Sequence, residues 1–97
     1  MKKLESDNFK EIVSSGVWIV DFYADWCGPC KMLTPVLESL EYDNILKVNI
    51  DEFHNISNNY GIMSIPTLIF LKDGEEKNKI IGFTDLETIK DALEELL

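Results

Sequence analysis

The sequence predicts an α/β fold: a mixed central β-sheet flanked by helices on both faces, in the order β-α-β-α-β-α-β-β-α with a short first strand. Three observations carry that expectation. Val17 to Tyr23 is a nearly unbroken apolar run, rich in β-branched and aromatic residues, which suits a strand covered on both faces. A stretch of helical periodicity separates it from a second strand at Ile45 to Ile50, so the three form a βαβ unit. Asp73-Gly74 then signals a tight hairpin between two further strands.

Each element has its own local reason. Met1 to Leu4 offers a minor first strand. Ser6 is placed to cap a first helix through Phe9, Ile12 and Val13, which share one face, and Gly16 ends that segment. Asp21 interrupts the apolar strand that follows. Pro29 stands where the next helix begins, a position that tolerates a missing N–H. Met32, Leu33, Val36, Leu37 and Leu40 continue that helix, and Pro35 inside it should bend it. In the next strand Leu46, Val48 and Ile50 face one way, Lys47 and Asn49 the other. A short helix is expected from about Glu52 to Tyr60, closed by Gly61. Thr67 to Leu71 forms a strand, and Ile80 and Ile81 belong to its return partner. Thr84-x-x-Glu87 reads as a capping box for a last helix bearing Leu86, Ile89, Leu93 and Leu96.

The chain has 97 residues, with no repeat, linker or low-complexity tract, so one domain over residues 1–97 is expected. Eighteen acidic against nine basic side chains leave a net charge of −9. Such a surface repels phosphate backbones and anionic membranes, which argues against nucleic-acid and membrane partners. The acidity otherwise serves solubility. No stretch reaches the length of a transmembrane helix. Glu5, Ser6, Asp7 and Asn8 follow Met1-Lys2-Lys3 at once, leaving no apolar region of a signal peptide. The expected location is therefore the cytoplasm, which keeps thiols reduced. A monomer is expected.

In that setting, two cysteines three positions apart are poor candidates for a structural staple, because they close a very small loop. Trp26-Cys27-Gly28-Pro29-Cys30 falls where the first long strand hands over to a helix. A thiol attacks disulfides only as the thiolate. A helix N-terminus presents unpaired N–H groups and a positive dipole end that favour an anion. Cys27 lies just before the helix and Cys30 in its first turn; Gly28 gives the turn room and Pro29 pre-sets the helical direction. The same spacing can be half of a zinc site, but zinc needs about four ligands. The only other soft candidate, His54, is distant in sequence, so a metal site would need two chains. On a strand-to-helix junction of a βαβ unit the motif reads as a redox pair, with no metal.

The stretch from Val20 through Lys31, VDFYADWCGPCK, closely resembles the active-site segment of the thioredoxin family. Lys47-Val48-Asn49-Ile50-Asp51 resembles that family's next strand. Tyr60-Gly61-Ile62 and Ile65-Pro66-Thr67 resemble its cis-proline loop, and Asp73-Gly74 and Gly82 fall at its hairpin glycine and the glycine beside its active site. The resemblance spans nearly the whole chain. The second helix and following loop, Val36 to Asn44, look several residues short of the family's pattern, the first strand is clipped, and Met63-Ser64 stands where a charged or small polar pair is common. The resemblance implies the thioredoxin fold. It also implies reduction of protein disulfides by Cys27 attack and Cys30 resolution, with a thioredoxin reductase as the recharging partner. No cofactor beyond the Cys27–Cys30 disulfide is implied.

A carboxylate inside an apolar strand is costly unless paired or protonated. Asp21 is either satisfied by backbone at a strand end or, as the resemblance supports, a proton acceptor for Cys30. Lys47 is a candidate partner for it; a lone strand lysine is otherwise simply solvated. Trp26, directly before the reactive cysteine, is expected to shield the sulfur and offer apolar contact to substrates. The resemblance implies a cis bond at Ile65–Pro66, with the adjoining backbone pairing an extended substrate as an added strand, beside Gly82. His54 reads as a surface residue, Met32 as core or rim, and Glu94-Glu95 as a solvated helix face. Two functions rival a reductase: a partner-binding subunit, and a disulfide oxidase or isomerase. Gly28-Pro29 brings no cation to stabilise the thiolate, and a less stabilised dithiol is the better reductant.

Overall fold

The computed structural model describes residues 1–97. Five strands and four helices alternate as the sequence predicts: β1 (Lys2–Lys3), α1 (Phe9–Ile12), β2 (Val17–Tyr23), α2 (Gly28–Ser39), β3 (Ile45–Asn49), α3 (His54–Asn59), β4 (Thr67–Lys72), β5 (Glu75–Ile81) and α4 (Leu86–Glu94). The sheet order is β1-β3-β2-β4-β5. β3 runs parallel to both β1 and β2. The β2–β4 and β4–β5 pairs are antiparallel. The sheet is therefore mixed, and β2 is its middle strand.

Alternation along the central strands divides the core in two. Val20, Phe22, Leu46, Val48, Ile69 and Leu71 pack with Phe9, Val13 and Ile56 on one face. Val17, Ile19, Ile45, Leu68 and Phe70 pack with Leu33, Leu37, Ile89 and Leu93 on the other. So α1 and α3 cover one face and α2 and α4 the other. Asp21 shares the parity of Val17 and Ile19, which sends it to the face under α2. The hairpin turn is as expected: Asp73 (φ 51°) and Gly74 (φ 81°) are both left-handed, the conformation that matches strand twist in a two-residue loop. β5 extends well beyond Ile80 and Ile81 as an edge strand whose exposed charges Glu75, Glu76 and Lys77 discourage further pairing.

Three local expectations need correction. Ser6 does not cap α1; its hydroxyl donates to Asn8 Oδ1 (3.1 Å), and Asn8 occupies the cap without a side-chain bond. α3 starts at His54 rather than Glu52, because Glu52 and Phe53 N–H groups both turn back to Asn49 O. α4 is capped by Asp85, not Thr84: Asp85 Oδ1 accepts from Thr88 N–H at 2.8 Å. Hydrogen bonding from the Thr88 side chain, and then from its N–H, lowers the Asp85 pKa. A carboxylate at a helix start gains from the dipole as well as the hydrogen bond, so the helix begins one residue later. Met32 is exposed on the rim of α2, while Leu33 and Leu37 are fully buried.

The short stretch after α2 is closed by Glu41 at positive φ (56°) and by Tyr42, whose hydroxyl donates to Val17 O at 2.7 Å. Those contacts return the chain directly to β3 at the bottom of the sheet. The top of β2 is left for the site.

Candidate active site

The site begins where β2 ends. Ala24, Asp25 and Trp26 turn the chain, and Cys27 N–H donates to Ala24 O at 3.2 Å. Cys27 is the N-cap of α2, in extended conformation, with Pro29 in the first turn. Its Sγ accepts from Cys30 N–H at 3.2 Å. That bond is the anion-stabilising arrangement expected at a helix start, with sulfur in the role of the capping oxygen. Cys27 and Cys30 are joined by a disulfide, with Cα atoms 5.3 Å apart. Exposure hardly separates the two: Cys27 is 5% and Cys30 2% accessible. Both sulfurs are buried, so the pair differs in position on the helix and not in accessibility. The expectation that Gly28 relieves a crowded turn also needs revision. A Cβ there would meet nothing within 4 Å, so Gly28 leaves open space outside the disulfide instead.

A second segment borders the sulfurs. The Ile65–Pro66 peptide bond is cis, as the resemblance implies. Cys27 Sγ lies 3.9 Å from Ile65 O. Ile65 makes no backbone–backbone hydrogen bond through its N–H or its C=O. Its neighbours are fixed: Thr67 Oγ1 donates to Ser64 O (2.7 Å), and Gly82 N–H donates to Pro66 O (2.8 Å). Gly82 needs its φ of +86°, which a side chain would disfavour.

Asp21 lies on the same sheet face as the start of α2. It is fully buried in the middle of β2, and neither carboxylate oxygen has a hydrogen-bond partner. The reading of a strand-end aspartate satisfied by backbone is therefore excluded. Burial pushes its pKa up to about 6, and the Lys47 charge opposes that rise. Lys47 is the residue opposite Asp21 on β3, and Leu68 is opposite it on β4. Lys47 forms no ion pair. Its Nζ donates to Thr34 Oγ1 at 3.2 Å and sits 4.4 Å from the Tyr23 ring centre. Lys47, Thr34 and Tyr23 line a cleft of about 320 Å³ with Ala24, Asp25, Cys30 and Lys31.

Trp26 is 70% exposed, so it is not core; its Nε1–H donates to Asp51 Oδ2 at 2.9 Å. Met63, two residues before Ile65, is 97% exposed. His54 is exposed at the start of α3, and no three His, Cys, Asp or Glu side chains gather where a metal could bind. A larger groove of about 830 Å³ lies between α1 and α3, under the opposite sheet face, and contains neither cysteine.

Asp51 and Thr34 are the site neighbours that sequence reasoning missed. Asp51 lies within a segment already singled out, but its partner is 25 positions away. Thr34 stands four residues after Cys30, one helical turn on, and that spacing was the available signal.

Known proteins are similar to this chain in sequence and in fold. The sequence profile of the Thioredoxin family matches residues 1–95. A thioredoxin of Staphylococcus saprophyticus is 47% identical, with 98% of this chain and 96% of the relative covered. A thioredoxin of Chlamydia caviae is 46% identical over 92% of this chain and 91% of the relative. Among solved structures, a mutant thioredoxin from Halobacterium salinarum superposes with a TM-score of 0.90 at 35% identity, covering 98% of this chain and 88% of that one. A match of that extent, together with the Cys27–Cys30 pair at the strand-to-helix junction of this chain, shows that the chain belongs to the thioredoxin family and is a thiol–disulfide oxidoreductase.

Proposed function

We propose that the chain, acting as one domain and as a monomer, reduces protein disulfides in the cytoplasm and is recharged by a thioredoxin reductase. The observation that carries the reading is Cys27 at the start of α2, with Cys30 three residues on and buried, unpartnered Asp21 on the sheet face that α2 covers.

In the reduced protein the Cys27 thiolate, favoured by the Cys30 N–H and the helix dipole, attacks one sulfur of a substrate disulfide. The substrate S–S bond breaks, one substrate thiolate leaves and is protonated, and a mixed disulfide to Cys27 forms. Cys30 then gives its proton, relayed by a water, to the Asp21 carboxylate and attacks Cys27 Sγ. The mixed disulfide breaks, the second substrate thiolate leaves, and the Cys27–Cys30 disulfide is restored. Two electrons pass from the dithiol to the substrate, so no further cofactor is required. A dithiol partner, the reductase, returns them.

Substrate is held beside the sulfurs by strand addition. The free N–H and C=O of Ile65 pair with an extended substrate segment, Pro66 and Gly82 shape that edge, and the exposed Trp26 supplies apolar contact. The open space over Gly28 admits the substrate backbone, and Pro29 adds no charge that would stabilise the thiolate. The reducing direction follows from that neutral dipeptide.

Insulin reduction tests the reading. With a thioredoxin reductase and its electron donor, the wild-type chain should precipitate the insulin B chain catalytically, and Cys27→Ser should not. A wild-type chain inert with both reductase and dithiothreitol would refute it.

A further inference from the structure

Lys47 is opposite Asp21 in the sheet, so an extended lysine could close on the carboxylate. It does not. Its ammonium is turned toward α2, where Thr34 Oγ1 accepts from it at 3.2 Å. The same hydroxyl oxygen lies 3.4 Å from Cys30 O, to which it donates. A hydroxyl has one proton to give and two lone pairs to accept with, so it can make both bonds at once. Thr34 thus ties the carbonyl of one cysteine to the cation opposite the buried acid.

We propose that Thr34 is a positioning residue for the disulfide chemistry: its hydroxyl anchors Lys47 Nζ in the cleft beside Cys30, within electrostatic reach of Asp21 but not paired with it. The inference rests on the proposed role of Asp21 as proton acceptor. A paired Asp21 would be held as the carboxylate and would bind a proton poorly; an Asp21 with no cation nearby would hold its proton and accept none at neutral pH. The anchor keeps the group between those limits. The groups that the surrounding elements bring to the Asp21 face of the sheet, or to the cleft that holds Lys47, are few. α2 brings Cys30, and Lys31 at the cleft mouth; β3 brings Lys47; β4 brings only Leu68; α4 brings the apolar Ile89 and Leu93 to the same face; β2 itself and its turn bring Tyr23 and Asp25.

Without the hydroxyl, Lys47 has a solvated cleft to extend into and moves away from the acid. Asp21 should therefore titrate higher in Thr34→Val, which keeps the branched shape, by on the order of half a pH unit. Thr34→Ser restores the hydroxyl and should titrate as wild type. The measurement is carboxyl ¹³C NMR of Asp21 across pH in the oxidised protein. An unchanged or lowered titration in Thr34→Val overturns the proposal, as does an equal rise in Thr34→Ser. In a Lys47→Met background Thr34→Val should add no further shift; a full further shift would show that the effect bypasses Lys47 and overturns the route. The pH profile of mixed-disulfide resolution separates the two ideas. If the Asp21 titration moves and the rate profile does not, the anchor stands and the proton-acceptor reading falls. If Asp21→Asn slows resolution while Thr34→Val changes nothing, the anchor falls and the acceptor reading stands.

Discussion

The indole N–H of Trp26 donates to Asp51 Oδ2 at 2.9 Å, which fastens the turn before the cysteines to the turn that follows β3. Most of the indole surface remains free for a substrate, but its angle is set by one bond. Asp51→Ala should free the ring. Both partners are exposed, so stability should fall by no more than about 1 kcal/mol. Substrate docking should suffer more: KM for insulin should rise with kcat little changed. In a Trp18→Phe background, fluorescence anisotropy reports Trp26 alone, and its local mobility should increase. Unchanged anisotropy would mean that the bond does not hold the ring.

Asp21→Asn should separate stability from turnover. Folding raises the Asp21 pKa from 3.8 to about 6 by burying it. Between about pH 4 and about pH 6 the folded chain keeps a proton that the unfolded chain has lost. The Asp21 contribution is fully present below that window and is lost as pH rises through it. At neutral pH the buried charge is then a standing destabilisation, and its removal should add roughly 1–3 kcal/mol. Near pH 3 the two proteins should differ little on this account, because Asp21 is protonated in both states at about that pH. The same substitution should slow resolution of the mixed disulfide. Denaturant unfolding across pH and stopped-flow turnover check both halves. An Asn variant no more stable at neutral pH would contradict the burial argument.

The two sulfurs should divide their labour by helix position. Cys27 caps α2 and accepts the Cys30 N–H, so its thiolate is the better stabilised. In the reduced protein, limiting iodoacetamide should label Cys27 first. Cys30→Ser should accumulate mixed disulfides with insulin, and Cys27→Ser should not. Preferential labelling of Cys30 would reverse the assignment.

Gly82→Ala isolates a conformational requirement. Gly82 sits at φ +86°, and a Cβ there would touch nothing within 4 Å. The loss should therefore be backbone strain alone, roughly 1–2 kcal/mol. The Gly82 N–H bond to Pro66 O supports the edge beside the sulfurs, so KM should rise too. A variant of full stability would show that the backbone flips without cost.

Much of the architecture was legible because it follows from local pattern. The two-faced apolar run of β2, the helical spacing of Leu33 and Leu37, and Asp73-Gly74 are each interpretable within a few residues. Helix starts were less so. Ser6, Thr84 and Glu52 are all good first-turn residues, yet Asn8, Asp85 and the Asn49 turn decide where α1, α4 and α3 begin. Neighbouring polar groups compete for the same orphan N–H groups, and geometry selects between them by a residue or two.

By itself the sequence determined the order of elements, the placement of Cys27 and Cys30 at a strand-to-helix junction, and the oddity of Asp21 in an apolar strand. Each is a matter of which residues are neighbours along the chain or share a periodic face. Only the tertiary structure decided that Asp21 has no partner, that Lys47 turns to Thr34 instead, that Trp26 leans on Asp51, and that Cys27 is nearly as covered as Cys30. Those outcomes depend on the register of β3 against β2 and on how α2 sits over the sheet. Charges from separate elements meet, or fail to meet, only once that packing sets their distances.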